Sequence, residues 1–234
     1  MEKIKVMVSS VVRGLEAERD AIQTLFAQEK FQFVELVGAT PYSGASMPAS
    51  SAMVTVKWAR ECHLYILVLG NEYGMETETG KSATEAEFDA AIQTDPTKVL
   101  VFLKEVSGQV AEDKQAAFIK RVSDYYNGYF RTSFQFTHQL QTLVNNTFWE
   151  WLIKRTQIGT LQTHIADHFI RMVKENVPIA EMEIFYRTYK DRLEIDAHYN
   201  GKIISMHFDN AELHANFWKN VYTAQTKLDQ FWRD

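Results

Sequence analysis

Four short apolar runs, Ile4 to Val8, Phe31 to Val37, Leu64 to Leu69 and Val99 to Leu103, alternate with stretches of helical spacing. A strand that is apolar throughout must be covered on both faces, which happens where helices cross over between parallel strands. The alternation predicts a flavodoxin-like, doubly wound parallel α/β sheet of five strands in the order 2-1-3-4-5. The expected helices run from Leu15 to about Lys30, from a Ser50 cap with Val54, Trp58 and Cys62 on one face, and from Ser82 to before Pro96. A helix over Gln115 to Tyr126, an edge strand over Tyr129 to Phe136 and a long helix over Thr137 to Lys154 complete a domain expected at residues 1–158.

Residues 159–234 change style and predict an α+β appendage: a helix to Glu175, a second between Pro178 and Lys190, a hairpin, and a final helix. Asn200-Gly201 suits a two-residue type I′ turn. That turn pairs Leu193 with Phe208, Ile195 with Met206 and Ala197 with Ile204 on one face. Glu194 with His207 and Asp196 with Ser205 fall on the other, so one register separates apolar from polar side chains. Leu213, Phe217, Val221, Ala224, Leu228 and Phe231 form a stripe on the last helix that must bury against something.

A net charge of -5 carries no basic footprint for nucleic acid or an anionic membrane surface. The apolar runs are far shorter than the roughly 20 residues of a membrane span. Cys62 is the only cysteine and the first residues lack the apolar core of a signal peptide, so a cytoplasmic protein is expected.

Ligands of doubly wound sheets bind outside the carboxyl ends of the strands where strand order reverses, here between the first and third strands. The loops at that point, Ser9-Ser10-Val11-Val12-Arg13-Gly14 and Gly70-Asn71-Glu72-Tyr73-Gly74, are rich in hydroxyls and glycine. Neither carries a dinucleotide or P-loop signature. Ser82-Ala83-Thr84-Glu85 reads as a capping box, which gives Glu85 a structural role. Glu87 has no such role, and a carboxylate near a helix start at this point can act as nucleophile or general base; a solvated surface glutamate is the alternative. Glu18 and Arg19 interrupt the apolar stripe of the first helix and either reach solvent or brace polar groups of the site. His164 and His168 have a chelating spacing without a third ligand, so no metal is expected. Cys62 reads as a small buried hydrophobe, and Trp149, Trp151, Trp218 and Trp232 as core or interdomain packing, with a partner surface as the alternative for part of them.

Ile4-Lys-Val-Met-Val-Ser-Ser10, Leu15-Glu-Ala-Glu-Arg19, Phe33-Val-Glu35 with Ala39, Leu64 to Gly70 with Tyr73-Gly74, and Ser82-Ala-Thr-Glu-Ala-Glu-Phe88 together resemble domain of unknown function 4062, a TIR-like family, over residues 1–105. The wider group includes nucleoside deoxyribosyltransferases, whose nucleophilic glutamate lies in a segment similar to Thr84-Glu-Ala-Glu87-Phe-Asp-Ala-Ala91. The resemblance implies cleavage of the N-glycosidic bond of NAD or a related nucleotide in defence or stress signalling, with Glu87 catalytic and no cofactor required. Ser9, Ser10, Arg13, Tyr73, Gly74 and Ser82 would bind substrate, with Glu18, Arg19, Glu35 and Glu85 in support. The segment Gly38 to Ser50 would be the loop that TIR domains use for assembly or gating. A non-catalytic module for nucleotide sensing or self-assembly, as a homo-oligomer or with a signalling partner, is the alternative. The family pattern carries an aspartate just before the third strand, where this chain has His63. If that aspartate braces the site, His63 argues against activity; if it caps the preceding helix, little changes.

Overall fold

The computed structural model describes residues 3–38, 49–106, 108, 110–158, 165–175, 182–189 and 191–233. The chain divides into two compact units, one made of Met1–Asp124 with Tyr129–Gln162, the other of Tyr125–Gly128 with Thr163–Asp234. Among the described residues no helix is long and apolar enough to cross a membrane.

The first unit is built on β1 (Ile4–Ser9), β2 (Val34–Val37), β3 (Leu64–Leu69), β4 (Val99–Lys104) and β5 (Arg131–Phe134). All neighbouring pairs are parallel and the order is β2-β1-β3-β4-β5, as the alternation predicts. The helices are α1 (Glu16–Phe26), α2 (Ser51–Glu61), α3 (Ala83–Thr94), α4 (Asp113–Val122) and α5 (Thr137–Ile158). Every residue of β3 is buried, which is what a central strand covered on both faces requires. Val6, Val8, Leu64 and Ile66 share one core with Ile22 of α1 and Phe148 of α5. Met7, Tyr65 and Leu67 share the opposite core with Ala59 of α2, Phe88 and Ala91 of α3, and Phe118 of α4.

Several boundaries differ from the apolar pattern: the helix expected to reach Tyr126 ends at Val122, the edge strand narrows to Arg131–Phe134, and the long helix runs on to Ile158. The first helix stops at Phe26, and a 3₁₀ turn over Glu29–Phe31 precedes β2, which is shortened to four residues. Phe31 is buried in that turn rather than in a strand, with ring centroids 5.0 Å from Phe26 and 5.3 Å from Phe148. Aromatic packing, not sheet pairing, claims this residue.

The second unit contains α6 (Ile165–Glu175), β6 (Glu183–Thr188), β7 (Arg192–Tyr199), β8 (Lys202–Asp209), α7 (Asn210–Ala215) and α8 (Phe217–Arg233). Its antiparallel sheet has the order β6-β7-β8. The expected hairpin register is observed pair for pair, and Asn200 and Gly201 both take positive φ, 49° and 75°. The helix expected before Lys190 is instead the edge strand β6. Its Ile-Phe-Tyr-Arg-Thr sequence is rich in strand formers, and β7 supplies the backbone partners that decide between the two states. The final helix is broken at Asn216, yet Leu213, Phe217, Val221, Ala224 and Leu228 stay on one buried stripe against Leu193, Ile195 and Phe208. Trp149 and Trp151 belong to the first unit's core, and Trp218 and Trp232 to the second's.

Candidate functional site

Side-chain alternation divides Ser9, which ends β1, from Ser10, which follows it. Ser9 shares a face with Met7 and meets α3, whereas Ser10 is reached from α1. Ser9 Oγ donates to Glu87 Oε2 at 2.5 Å, and both residues are buried. Arg19, also buried, donates from Nη1 to Ser10 Oγ at 2.7 Å and to the Ser10 carbonyl at 3.3 Å, and from Nη2 to the Gly38 carbonyl. One guanidinium thereby ties α1 to the ends of β1 and β2. Gly38 has φ +74°, and a Cβ there would lie 2.7 Å from the Val8 carbonyl oxygen, so only glycine permits this approach.

Burial raises the Glu87 pKa above the ordinary carboxylate value, while hydrogen bonds from Ser9 and Thr55 and the charge of Arg19 pull it back. Burial lowers the Arg19 pKa, and the negative charges of Glu87 and Asp20 oppose that shift. The site thus holds a desolvated carboxylate that attracts a proton more strongly than usual, fixed by hydroxyl donors and faced by a cation. A carboxylate so held can attack an electrophilic carbon, stabilise a developing cation or move a proton.

A second group borders the first. The Tyr73 hydroxyl donates to Glu85 Oε2, whose other oxygen pairs with Arg121 Nη2 at 3.1 Å. Only half of the expected capping box forms: the Glu85 amide donates to Ser82 Oγ at 3.2 Å, but the Glu85 carboxylate is engaged by Tyr73 and Arg121 instead of turning back to the Ser82 amide. Gly74 has φ +84°, and a Cβ there would come within 3.1 Å of Val11, so the loops after β1 and β3 meet closely at this point. The Tyr73 amide donates to Glu112 and the Gln115 amide group to the Gly70 carbonyl, which fixes the second loop against α4.

Other expected residues lie elsewhere. Arg13 is exposed, 3.9 Å from Glu72. Glu18 is buried, but it faces Thr137 at 2.8 Å and Lys104 at 3.0 Å, so of the two charges on α1 only Arg19 braces the serines. Glu35 lines a groove of about 650 Å³ with Lys5, Met53, Lys57 and Trp58, away from Glu87. His63 accepts the Lys5 amide at Nδ1 and donates its own amide to the Lys5 carbonyl, both at 2.9 Å, at the amino end of β3. Ser9 pairs with Leu67, four residues further along, so His63 stands about 13 Å down the strand from Ser9. It anchors β1 to β3 and does not brace the carboxylate.

Cys62 is buried at the end of α2, and burial pushes its thiol up to about 11, as befits an inert side chain. His164 and residues 39–48 of the expected assembly loop lie outside the described residues; His168 is buried on α6. Among the described residues no group of three or more His, Cys, Asp or Glu is placed to hold a metal ion. Sequence reasoning missed Thr55, Tyr65, Arg121 and the Gly38 carbonyl. Only Tyr65 carried a signal, as the one polar group in the run Leu64 to Leu69.

No curated protein matches the chain. The family model described as domain of unknown function (DUF4062) matches residues 5–148, which extends the resemblance beyond residue 105 through β5 and into α5. The match spans more than half of the 234 residues and encloses all of the site just described, and the chain therefore belongs to the DUF4062 family.

Proposed function

We propose that the first unit is a TIR-like nucleotide-handling domain that cleaves the N-glycosidic bond of NAD or a related nucleotide in defence or stress signalling. The observation that carries this reading is the buried Glu87 carboxylate, held by Ser9 beside the Arg19 cation where β1 and β3 end. In its ionised form Glu87 attacks the anomeric carbon of the ribosyl group, the bond to the base breaks, and the base leaves with the electron pair. Water then displaces the carboxylate and releases the ribosyl product. Ser10 and the loop amides other than that of Tyr73, which is taken by Glu112, are the groups we assign to a phosphate or ribose. The nucleotide is the substrate, and the chemistry calls for no further cofactor.

The test is incubation of the purified chain with NAD and a panel of nucleosides and nucleotides, followed by chromatography for the released base, beside Glu87→Gln. The expected result is base release by wild type and a loss of roughly a thousandfold or more in the variant. Absence of turnover overturns the reading, and saturable binding without turnover assigns the domain to nucleotide sensing instead.

A further inference from the structure

Tyr65 lies on the fully buried strand β3, is wholly shielded from solvent, and has a hydroxyl that interacts with Ser9 without forming a well-aligned hydrogen bond to any group. A poorly paired buried hydroxyl is destabilising, and phenylalanine would fill the same space without it. The register explains where this hydroxyl points. Met7 pairs with Tyr65 and Ser9 with Leu67, so Tyr65 and Ser9 leave the same face of adjacent strands at diagonal positions, a separation that a tyrosine side chain spans. Ser9 has a single proton, which is donated to Glu87 Oε2, and this leaves its oxygen able to accept.

We propose that Tyr65 is a positioning residue whose hydroxyl donates to Ser9 Oγ when Glu87 is ionised, so that a Tyr65–Ser9–Glu87 relay holds the carboxylate charged and aimed. The inference rests on the reading of Glu87 as the reactive carboxylate. Each proton stays on its own oxygen, and the second hydrogen bond is strengthened by the first. Burial raises the Tyr65 pKa well above that of a free phenol and the charge of Glu87 raises it further; the interaction with Ser9 opposes the shift but is outweighed, so the hydroxyl remains a donor. The other groups facing this relay are Arg19 on α1, Thr55 on α2, Cys62 at the end of α2, and Asp89 on α3.

The experiment is a carbon-13 NMR titration of the Glu87 carboxyl, assigned with Glu87→Gln, in wild type, Tyr65→Phe, Ser9→Ala and the double variant. Tyr65→Phe should raise the Glu87 midpoint by roughly half to one pH unit. Adding it to Ser9→Ala should cause no further rise. An unchanged midpoint, or an equal shift with Ser9 absent, overturns the relay. Should Tyr65→Phe fail to fold, the Tyr65 ring carbon bearing the hydroxyl is followed in wild type. It should titrate with the Glu87 midpoint, and a flat response overturns the proposal. Neither measurement needs turnover, so a coupled titration in a chain that releases no base would sink the glycosidase reading and leave the relay standing.

Discussion

The Ser9 hydroxyl and the Glu87 carboxylate, 78 residues apart in the chain, meet at 2.5 Å where β1 and β3 end. Ser9 stabilises the charged form of a carboxylate that its surroundings would rather keep neutral. Ser9→Ala should therefore raise the Glu87 midpoint further. It should also lower stability by about 1.5–3 kcal/mol where Glu87 is ionised, and by less in acid, as read from urea unfolding at several pH values.

Glu87→Gln should stabilise the fold as the pH rises. Because the folded-state pKa of Glu87 is raised, the folded chain holds this proton to a higher pH than the unfolded chain does. The stability it contributes is present below the unfolded-state value and is lost as pH rises through the folded-state value. Glutamine does not titrate, so the melting temperature of the variant should gain on wild type between acid and neutral pH. A constant difference across that range would contradict the account.

Arg19→Met should cost roughly 2–4 kcal/mol, because it strips the Ser10 hydroxyl, the Ser10 carbonyl and the Gly38 carbonyl of their shared donor. Arg19→Lys should recover only part of this, since an ammonium cannot reproduce the two-pronged geometry. Chemical denaturation of the two variants beside wild type measures both effects.

At the opposite end of the sheet, the buried Lys98 ammonium donates to the carbonyls of Arg60 at 2.9 Å and Cys62 at 3.1 Å, and to Thr94 Oγ1 at 2.9 Å. It closes the carboxyl end of α2, where backbone carbonyls would otherwise go unpaired. Lys98→Met should cost about 2–3 kcal/mol in denaturant unfolding, with no change in the Glu87 titration.

In the second unit, Gly201→Ala should destabilise the β7–β8 hairpin by about 1 kcal/mol or more, because alanine resists the positive φ of 75°. Hydrogen exchange should then quicken across β7 and β8. Exchange at the amides of β1 and β3 should stay as in wild type.

Much of this architecture is legible along the chain because its causes are local. Runs such as Leu64 to Leu69 carry no charge and a single hydroxyl, which makes them central strands, and Ser50 and Ser82 announce helix starts by accepting the amides of Met53 and Glu85. The Asn200-Gly201 turn dictates the register of every pair in its hairpin. Residues 183–188 were less legible: a short amphipathic segment suits helix or strand alike until β7 stands beside it. Phe31 similarly looks like the start of a strand until Phe26 and Phe148 surround it.

The candidate site shows the same division. Local sequence sets Glu87 apart from the helix cap and puts two hydroxyls at the end of the first strand. It leaves open which of Glu18 and Arg19 serves those hydroxyls, because the two are adjacent and their directions differ only through packing. The tertiary fold turns Glu18 toward Lys104 and Thr137 and Arg19 toward Ser10 and Gly38. It also draws Glu85 away from its cap to Tyr73 and Arg121, sets His63 at the far end of β3, and buries the Tyr65 hydroxyl. Strands and caps are decided by neighbours a few residues away. The partner and protonation of a buried polar group are decided by whatever distant segments exclude water around it, and those meet only when the sheet is assembled.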